Sequence, residues 1–180
     1  MKFYCGIGSR DSPPEIMETM TLIASKLEER GYILRSGGAQ GADQAFEDGI
    51  KDHTKMRIFL PFDGFNDKNH GYGYIAKYSV KDVDNAHNAV VTYHPIGYRL
   101  QGKSYKLMAR NYHQVCGLDG EKNSEFIICW TPDGATTKTT RNTGGTGQAI
   151  RIANALSIPV YNLKNIHTNV EHFLDKITNN

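Results

Sequence analysis

The chain has 180 residues, of which 39% are hydrophobic and 22% are charged, values typical of a folded globular protein rather than a disordered one. A length of this size suits a single domain that spans residues 1–180. The 21 Lys and Arg side chains nearly balance the 19 Asp and Glu side chains, so the formal net charge of +2 gives no indication of a dedicated polyanion-binding protein.

Apolar runs and helical periodicity alternate in the first part of the chain. Residues 2–7 (KFYCGI) predict a buried strand, which is followed by a loop with the sequence GIGSR. Ser12 as the N-cap, with Pro13 next to it and Glu15 three positions later, predicts a helix that ends near Gly31. A second strand over 32–35 leads into the turn SGGAQGAD, and a second helix is predicted over 44–50.

The rest of the chain continues this alternation. A third strand is predicted over 57–60, and a loop rich in Gly, Asp, Asn and aromatic residues over 62–73. Helical patterns cover 80–93 and 104–116, and the run EFIICW at 125–130 is apolar enough to predict a central parallel strand. After a threonine-rich loop, TGGTG opens a helix, and a last strand over 158–163 precedes a helix over 170–177.

Strands that alternate with helices in this way predict a Rossmann-like three-layer αβα sandwich with a mostly parallel sheet. In such a sheet, ligands bind beyond the carboxyl ends of the strands. Three glycine-rich loops, at Gly8, Gly37 and Gly144, each follow a predicted strand. We therefore expect the three loops to lie at the same edge of the sheet.

The chemistry of these loops favours a phosphate group. A helix N-terminus presents unpaired N–H groups and a partial positive charge, and glycine lets the backbone approach an anion closely. SGGAQGAD and TGGTGQA both open predicted helices, so the sequence predicts a shared phosphate site for a nucleotide. The alternative is that the glycines only allow strands and helices to pack tightly.

Four motifs, taken in order, resemble the DNA-processing protein A (DprA) branch of the SLOG superfamily: GSR, SGGAQGAD, ARN at 109–111 and TGGTGQA. The resemblance implies a SLOG-type fold, recognition of a nucleotide or nucleotide-derived small molecule (including signalling nucleotides of bacterial phage defence) and a homodimer. DprA proteins also bind single-stranded DNA. In the related LOG phosphoribohydrolases the late turn carries a catalytic glutamate, and the alignment places Arg151 at that position.

Several of these residues have an ordinary structural alternative. Arg10 and Arg35 either bind phosphate or form ion pairs. Asp43 is expected to stabilise its loop rather than to act in catalysis. Trp130 either stacks on a base or packs in the core. The hydroxyls in the turns bind phosphate or close their own turns. The predicted ligand-binding residues are Gly8, Ser9, Arg10, Arg35, Ser36, Gly37, Gly38, Ala39, Gly41, Asp43, Arg110, Asn111, Trp130, Thr143, Gly144, Gly145 and Thr146.

Three functions remain open from the sequence. A nucleotide-binding protein comes first, because the LOG glutamate is absent. The second is a nucleotide hydrolase that uses Glu47, Asp43 or Asp133, and the third is weak single-stranded DNA binding. No His or Cys spacing indicates a metal, no cofactor is expected, and no apolar run approaches the roughly 18 residues that span a bilayer. We expect a cytoplasmic protein without membrane contact.

Overall fold

Six parallel strands form one sheet in the order β4-β3-β2-β1-β5-β6 in the computed structural model, which describes residues 1–179. The strands are β1 Lys2–Gly8, β2 Tyr32–Ser36, β3 Met56–Phe59, β4 Tyr74–Ile75, β5 Ile127–Trp130 and β6 Val160–Asn162. The helices are α1 Pro14–Glu29, α2 Ala42–Asp48, α3 Val80–Tyr93, α4 Gly102–Cys116, α5 Thr146–Ala155 and α6 Val170–Thr178. The predicted αβα sandwich is confirmed.

Each face of the sheet carries its own apolar core, and the alternation of side chains along β1 supplies both. Tyr4 packs with buried residues of α1, α2 and α6, whereas Cys5 and Ile7 pack with buried residues of α3, α4 and α5. In β5 the same alternation places Ile128 in the first core and Cys129 in the second. Strands buried on both faces need apolar residues at nearly every position, which explains the continuous apolar runs in the sequence.

The strand order places a crevice between β1 and β5. From β1 the chain adds β2, β3 and β4 on one side, and it then crosses back to place β5 on the other side of β1. The loops that follow β1 and β5 therefore diverge from each other. In open parallel sheets, ligands bind at this topological switch point.

Local details correct three of the sequence predictions. Ser12 is not the N-cap of α1, because the helix begins at Pro14 and the Ser12 hydroxyl instead donates to the Ser9 carbonyl oxygen at 2.9 Å. Helix α2 begins at Ala42, two residues earlier than predicted. Strand β4 was not predicted, because a two-residue strand is too short to show an alternating pattern in the sequence.

Among residues 1–179, no helix has the length and apolar character needed to cross a bilayer.

Candidate functional site

A cavity of about 500 Å³ opens at the crevice between β1 and β5. Loops after both strands, the turn after β2 and one face of α4 form its walls. The predicted residues that line it are Gly8, Ser9, Arg10, Ala39, Asp43, Arg110, Asn111, Thr143, Gly144, Gly145 and Thr146. The structure therefore brings most of the predicted site together, as the parallel sheet required.

The turn before α5 leaves its backbone open to this cavity. Gly144 has φ +67°, which favours glycine, and no atom of residues 1–179 lies within 4 Å of the position that a Cβ would occupy there. At Gly145 such a Cβ would meet only Met108 Cε, at 3.3 Å. Thr146 then begins a ten-residue helix, whose N-terminus favours an anion. The Gly144 N–H donates to the Arg141 carbonyl oxygen at 3.2 Å, so the amides that an anion has room to approach are those of Gly145 and Thr146.

Hydrogen bonds hold this turn in place from two sides. The Asn111 side-chain amide donates to the Gly145 carbonyl oxygen at 2.9 Å. On the other side, the Asp133 carboxylate accepts hydrogen bonds from the hydroxyls of Thr131 at 2.8 Å, Thr140 at 2.9 Å and Thr143 at 2.6 Å. Desolvation acts to raise the pKa of Asp133, but these donors lower it to about 2. The Thr143 hydroxyl is therefore committed to the loop itself.

The glycines of the turn after β2 face protein atoms instead. A Cβ on Gly37 would overlap the Arg110 guanidinium, and one on Gly38 would lie 2.7 Å from Leu60 Cδ2. A Cβ on Gly41 would lie 2.6 Å from the Cα atom of Arg10. None of these three glycines lines the cavity. The contacts of this turn therefore match the tight-packing alternative.

Asp43 closes the same turn from within. Its side chain is buried, and Oδ2 accepts a hydrogen bond from the Ala39 backbone N–H at 3.2 Å. Arg110 Nη1 lies 3.4 Å from the same oxygen and also donates to the Gly37 carbonyl oxygen. Burial raises the pKa of Asp43, and the Arg110 charge acts in the opposite direction. Asp43 thus stabilises the loop, which is the role that the sequence analysis expected in preference to catalysis.

Three other predicted residues do not line the cavity: Arg35, Ser36 and Trp130. Arg35 is fully buried, with Nη2 2.9 Å from a Glu121 oxygen and the guanidinium carbon 3.8 Å from the centre of the Phe3 ring. The Ser36 hydroxyl is buried beneath the turn. Trp130 packs its ring against the core formed with α1, α2 and α6, and only its carbonyl oxygen meets the site, where it accepts from the Ser9 N–H at 3.0 Å.

Each of the three carboxylates considered for hydrolysis has at least one polar partner within the protein. Glu47 does not line the cavity; it lies buried 2.8 Å from Lys68 Nζ and 3.3 Å from the Tyr74 hydroxyl. Asp133 binds threonine hydroxyls, and Asp43 pairs with Arg110. Arg151, at the position of the LOG glutamate, donates to Thr139 Oγ1 at 2.8 Å and so ties α5 to the preceding loop.

The sequence analysis missed three polar residues that line the cavity: Asp11, Asn142 and Gln114. Gln114 lines the cavity and is 1% exposed. It follows Asn111 by three positions and Arg110 by four, so all three share one face of α4. The helical spacing from the ARN motif is the signal that could have found it. Within residues 1–179, no group of three or more His, Cys, Asp or Glu side chains is placed to hold a metal ion.

Comparison with known proteins supports the fold. DNA processing protein A from Helicobacter pylori, studied for its unique single-stranded DNA binding mode, superposes with a TM-score of 0.55. The match covers 98% of this chain and 72% of that one, at 18% sequence identity. This chain has a DprA-like fold. At this identity the likeness concerns the fold alone. No protein-family model and no curated protein matches the sequence.

Proposed function

We propose that this protein binds the phosphate of a nucleotide or nucleotide-derived small molecule in the cavity between β1, α4 and α5. The observation that carries the proposal is the backbone at the N-terminus of α5, where Gly145 and Thr146 line the cavity and their N–H groups have no hydrogen-bond acceptor among residues 1–179. Backbone amides in this arrangement bind phosphate without a dedicated cation. The volume of about 500 Å³ falls within the range of small-molecule sites, roughly 300–1,000 Å³.

The charges around the cavity favour an anion of small negative charge. Arg10 is exposed at the cavity wall, and Arg110 lies buried within it. Asp11 and Asp43 line the same cavity and offset these cations. The glycine amides therefore supply most of the attraction, which favours a mononucleotide-sized ligand over a long polyanion. A signalling nucleotide of bacterial defence is the class that the family resemblance suggests.

Binding without hydrolysis is the better supported form of this proposal. Of Glu47, Asp43 and Asp133, only Asp43 lines the cavity, and its carboxylate already pairs with Arg110. A general base must reach the proton that it abstracts, so a carboxylate held in an ion pair is poorly suited to this role. We expect no release of free base from nucleoside monophosphates, as measured by chromatography.

Two variants of α5 test the phosphate site. Gly145 has φ −62° and ψ −27°, so valine is compatible with the backbone there, and its side chain would enter the cavity. Gly145→Val should weaken nucleotide binding at least tenfold in calorimetry while the protein stays folded. The control is Ala155→Val, which adds bulk at the exposed opposite end of the helix. Equal affinities in both folded variants would reject the proposal. Native mass spectrometry of protein purified from cells would identify a retained nucleotide.

Single-stranded DNA is the second candidate ligand. It is favoured by the single-stranded DNA binding of the Helicobacter pylori protein that shares this fold. A strand would place successive phosphates along the crevice, where Arg10 is the exposed cation of the wall. A salt series separates this case from a mononucleotide, because each neutralised phosphate steepens the dependence of affinity on salt.

A homodimer is proposed by analogy with SLOG proteins. The turn after α3 and the start of that helix expose apolar side chains, with Val80 80% exposed and Tyr98 70% exposed. Light scattering after size exclusion measures the mass directly. A mass of one chain at all concentrations tested would refute the dimer.

A further inference from the structure

The side-chain oxygen of Gln114 is a buried acceptor that no donor of the described chain satisfies. Its side chain is 1% exposed, and Oε1 is buried without a hydrogen-bond partner. None of the side-chain hydrogen bonds within residues 1–179 uses this carboxamide; the Gln114 backbone oxygen alone is bonded, to the Ser124 hydroxyl at 3.1 Å. Leaving such an acceptor unpaired costs about 1–3 kcal/mol, so native proteins rarely retain one without a reason.

The neighbours of Gln114 on α4 are already engaged. Arg110, one turn towards the N-terminus, donates to the Gly37 carbonyl oxygen and pairs with Asp43. Asn111 donates to the Gly145 carbonyl oxygen at 2.9 Å. All three side chains line the same cavity; Gln114 Oε1 and Arg110 Nε are buried without a partner among residues 1–179, but Arg110 has partners at Nη1, whereas no side-chain hydrogen bond involves the Gln114 carboxamide. The cavity therefore has the Gln114 carboxamide in its lining and the N–H groups of Gly145 and Thr146 at the N-terminus of α5.

We infer that the Gln114 carboxamide binds a sugar hydroxyl of the ligand, so that the cavity takes a sugar phosphate, with its phosphate at the N–H groups of Gly145 and Thr146. This inference rests on the proposed function. A carboxamide has both donor and acceptor groups, and so does a hydroxyl, whereas an additional phosphate would offer acceptors alone. The sugar is either free or part of a nucleotide.

The test compares inorganic phosphate, ribose 5-phosphate and AMP, titrated by NMR chemical shifts into the wild-type protein, Gln114→Leu and Gly145→Val. In the wild type, ribose 5-phosphate should bind more tightly than inorganic phosphate. Gln114→Leu should lower the affinity for ribose 5-phosphate and AMP about tenfold, the effect of one lost hydrogen bond, and leave that for inorganic phosphate unchanged. AMP binding more tightly than ribose 5-phosphate identifies a nucleotide; equal affinity identifies a free sugar phosphate.

Stability of the unliganded protein separates ligand binding from a structural role. Since leucine removes an unpaired polar group, Gln114→Leu should not lower the Tm without ligand. If the Gln114→Leu variant does not fold, the same measurements are made on Gln114→Met. Unchanged affinity for ribose 5-phosphate in a folded variant would overturn the inference, and an ordered water would then satisfy the carboxamide. If phosphate binding still responds to Gly145→Val, the proposed function survives that result. If the wild type binds none of the three probes, both fail.

Discussion

Arg110 and Asp43 form an ion pair that joins α4 to the turn after β2, with 3.4 Å between Nη1 and Oδ2. Both side chains are almost wholly buried, and the same guanidinium donates to the Gly37 carbonyl oxygen. The Arg110 side chain therefore binds two polar groups of the turn formed by the motif SGGAQGAD. The pair lies in the wall of the cavity, so the structural and ligand-binding roles of Arg110 must be measured separately.

Arg110→Met should destabilise the protein by about 3 kcal/mol, because it leaves the Asp43 carboxylate buried without its partner. The double variant with Asp43→Asn should recover much of this loss, since the unpaired charge is then removed. Urea unfolding of the wild type and the three variants measures the coupling between the two side chains. Additive effects of the two substitutions would show that the ion pair contributes nothing.

Gly38 is expected to be a folding residue rather than a ligand residue. Gly38→Ala combines a left-handed φ of +67° with a Cβ 2.7 Å from Leu60 Cδ2. Gly31→Ala is the matched control, because its φ is +80° but no described atom lies within 4 Å of its Cβ position. Left-handed backbone costs an alanine about 1–2 kcal/mol, and overpacking adds about 1–3 kcal/mol. Urea unfolding should therefore show the larger loss for Gly38→Ala; equal losses would contradict this packing.

The buried carboxyl of Glu47 should make stability depend on pH. Burial raises the pKa of Glu47 from 4.5 to about 7, although Lys68 acts to lower it. The folded protein then binds more protons than the unfolded chain between these values, so the contribution of Glu47 to stability falls as the pH rises through this window. The loss amounts to about 3 kcal/mol in full.

Unfolding of the wild type and Glu47→Gln in urea at pH 5 and pH 8 checks this sign. The glutamine variant should gain about 2–3 kcal/mol relative to the wild type between the two pH values. Asp48→Asn removes an exposed carboxylate from the same helix and is the control. A gain in the opposite direction would mean that the ion pair with Lys68, not burial, governs this carboxyl.

The fold could be predicted from the sequence because its signals are local. Runs such as EFIICW and the periodicity of 80–93 depend on neighbours in the chain, and α3 occupies the predicted range. The parallel sheet also predicted that the glycine-rich loops lie at the carboxyl ends of the strands. Strand β4 has only two residues and therefore shows no alternating pattern. The Ser12 hydroxyl does not cap α1, because it donates to the Ser9 carbonyl oxygen in its own loop.

The role of each glycine could not be predicted, because it depends on contacts between distant segments. Gly37 and Arg110 are 73 positions apart, yet the arginine occupies the space that a side chain on Gly37 would need. The two glycine turns therefore look alike in sequence but differ in what faces them. Arg35 shows the same limit, since Glu121 pairs with it from 86 positions away. Motif chemistry located the site; long-range packing decided which residues reach it.

The last prediction concerns single-stranded DNA. The structure leaves fewer cations for a DNA strand than the sequence suggested, because Arg35 is buried against Glu121 and Arg110 pairs with Asp43. Each phosphate neutralised on a single strand contributes about −0.7 to the slope of log affinity against log salt concentration. We therefore expect a slope no steeper than about −1.5 and a Kd no tighter than the ~10⁻⁴–10⁻⁶ M of non-specific binding.

Fluorescence anisotropy with a labelled oligonucleotide across a salt series measures both quantities. Arg10→Ala should weaken any such binding, because Arg10 lines the cavity and is exposed. Arg30→Ala is the charge-matched control: this arginine binds Glu171 and Asp175 at the C-terminus of α1, at the opposite edge of the sheet. Nanomolar binding at physiological salt, lost in Arg10→Ala and kept in Arg30→Ala, would place DNA ahead of a mononucleotide. Weak binding that both variants share equally would assign it to general surface charge, and the glycine amides would remain the basis for recognising a small ligand.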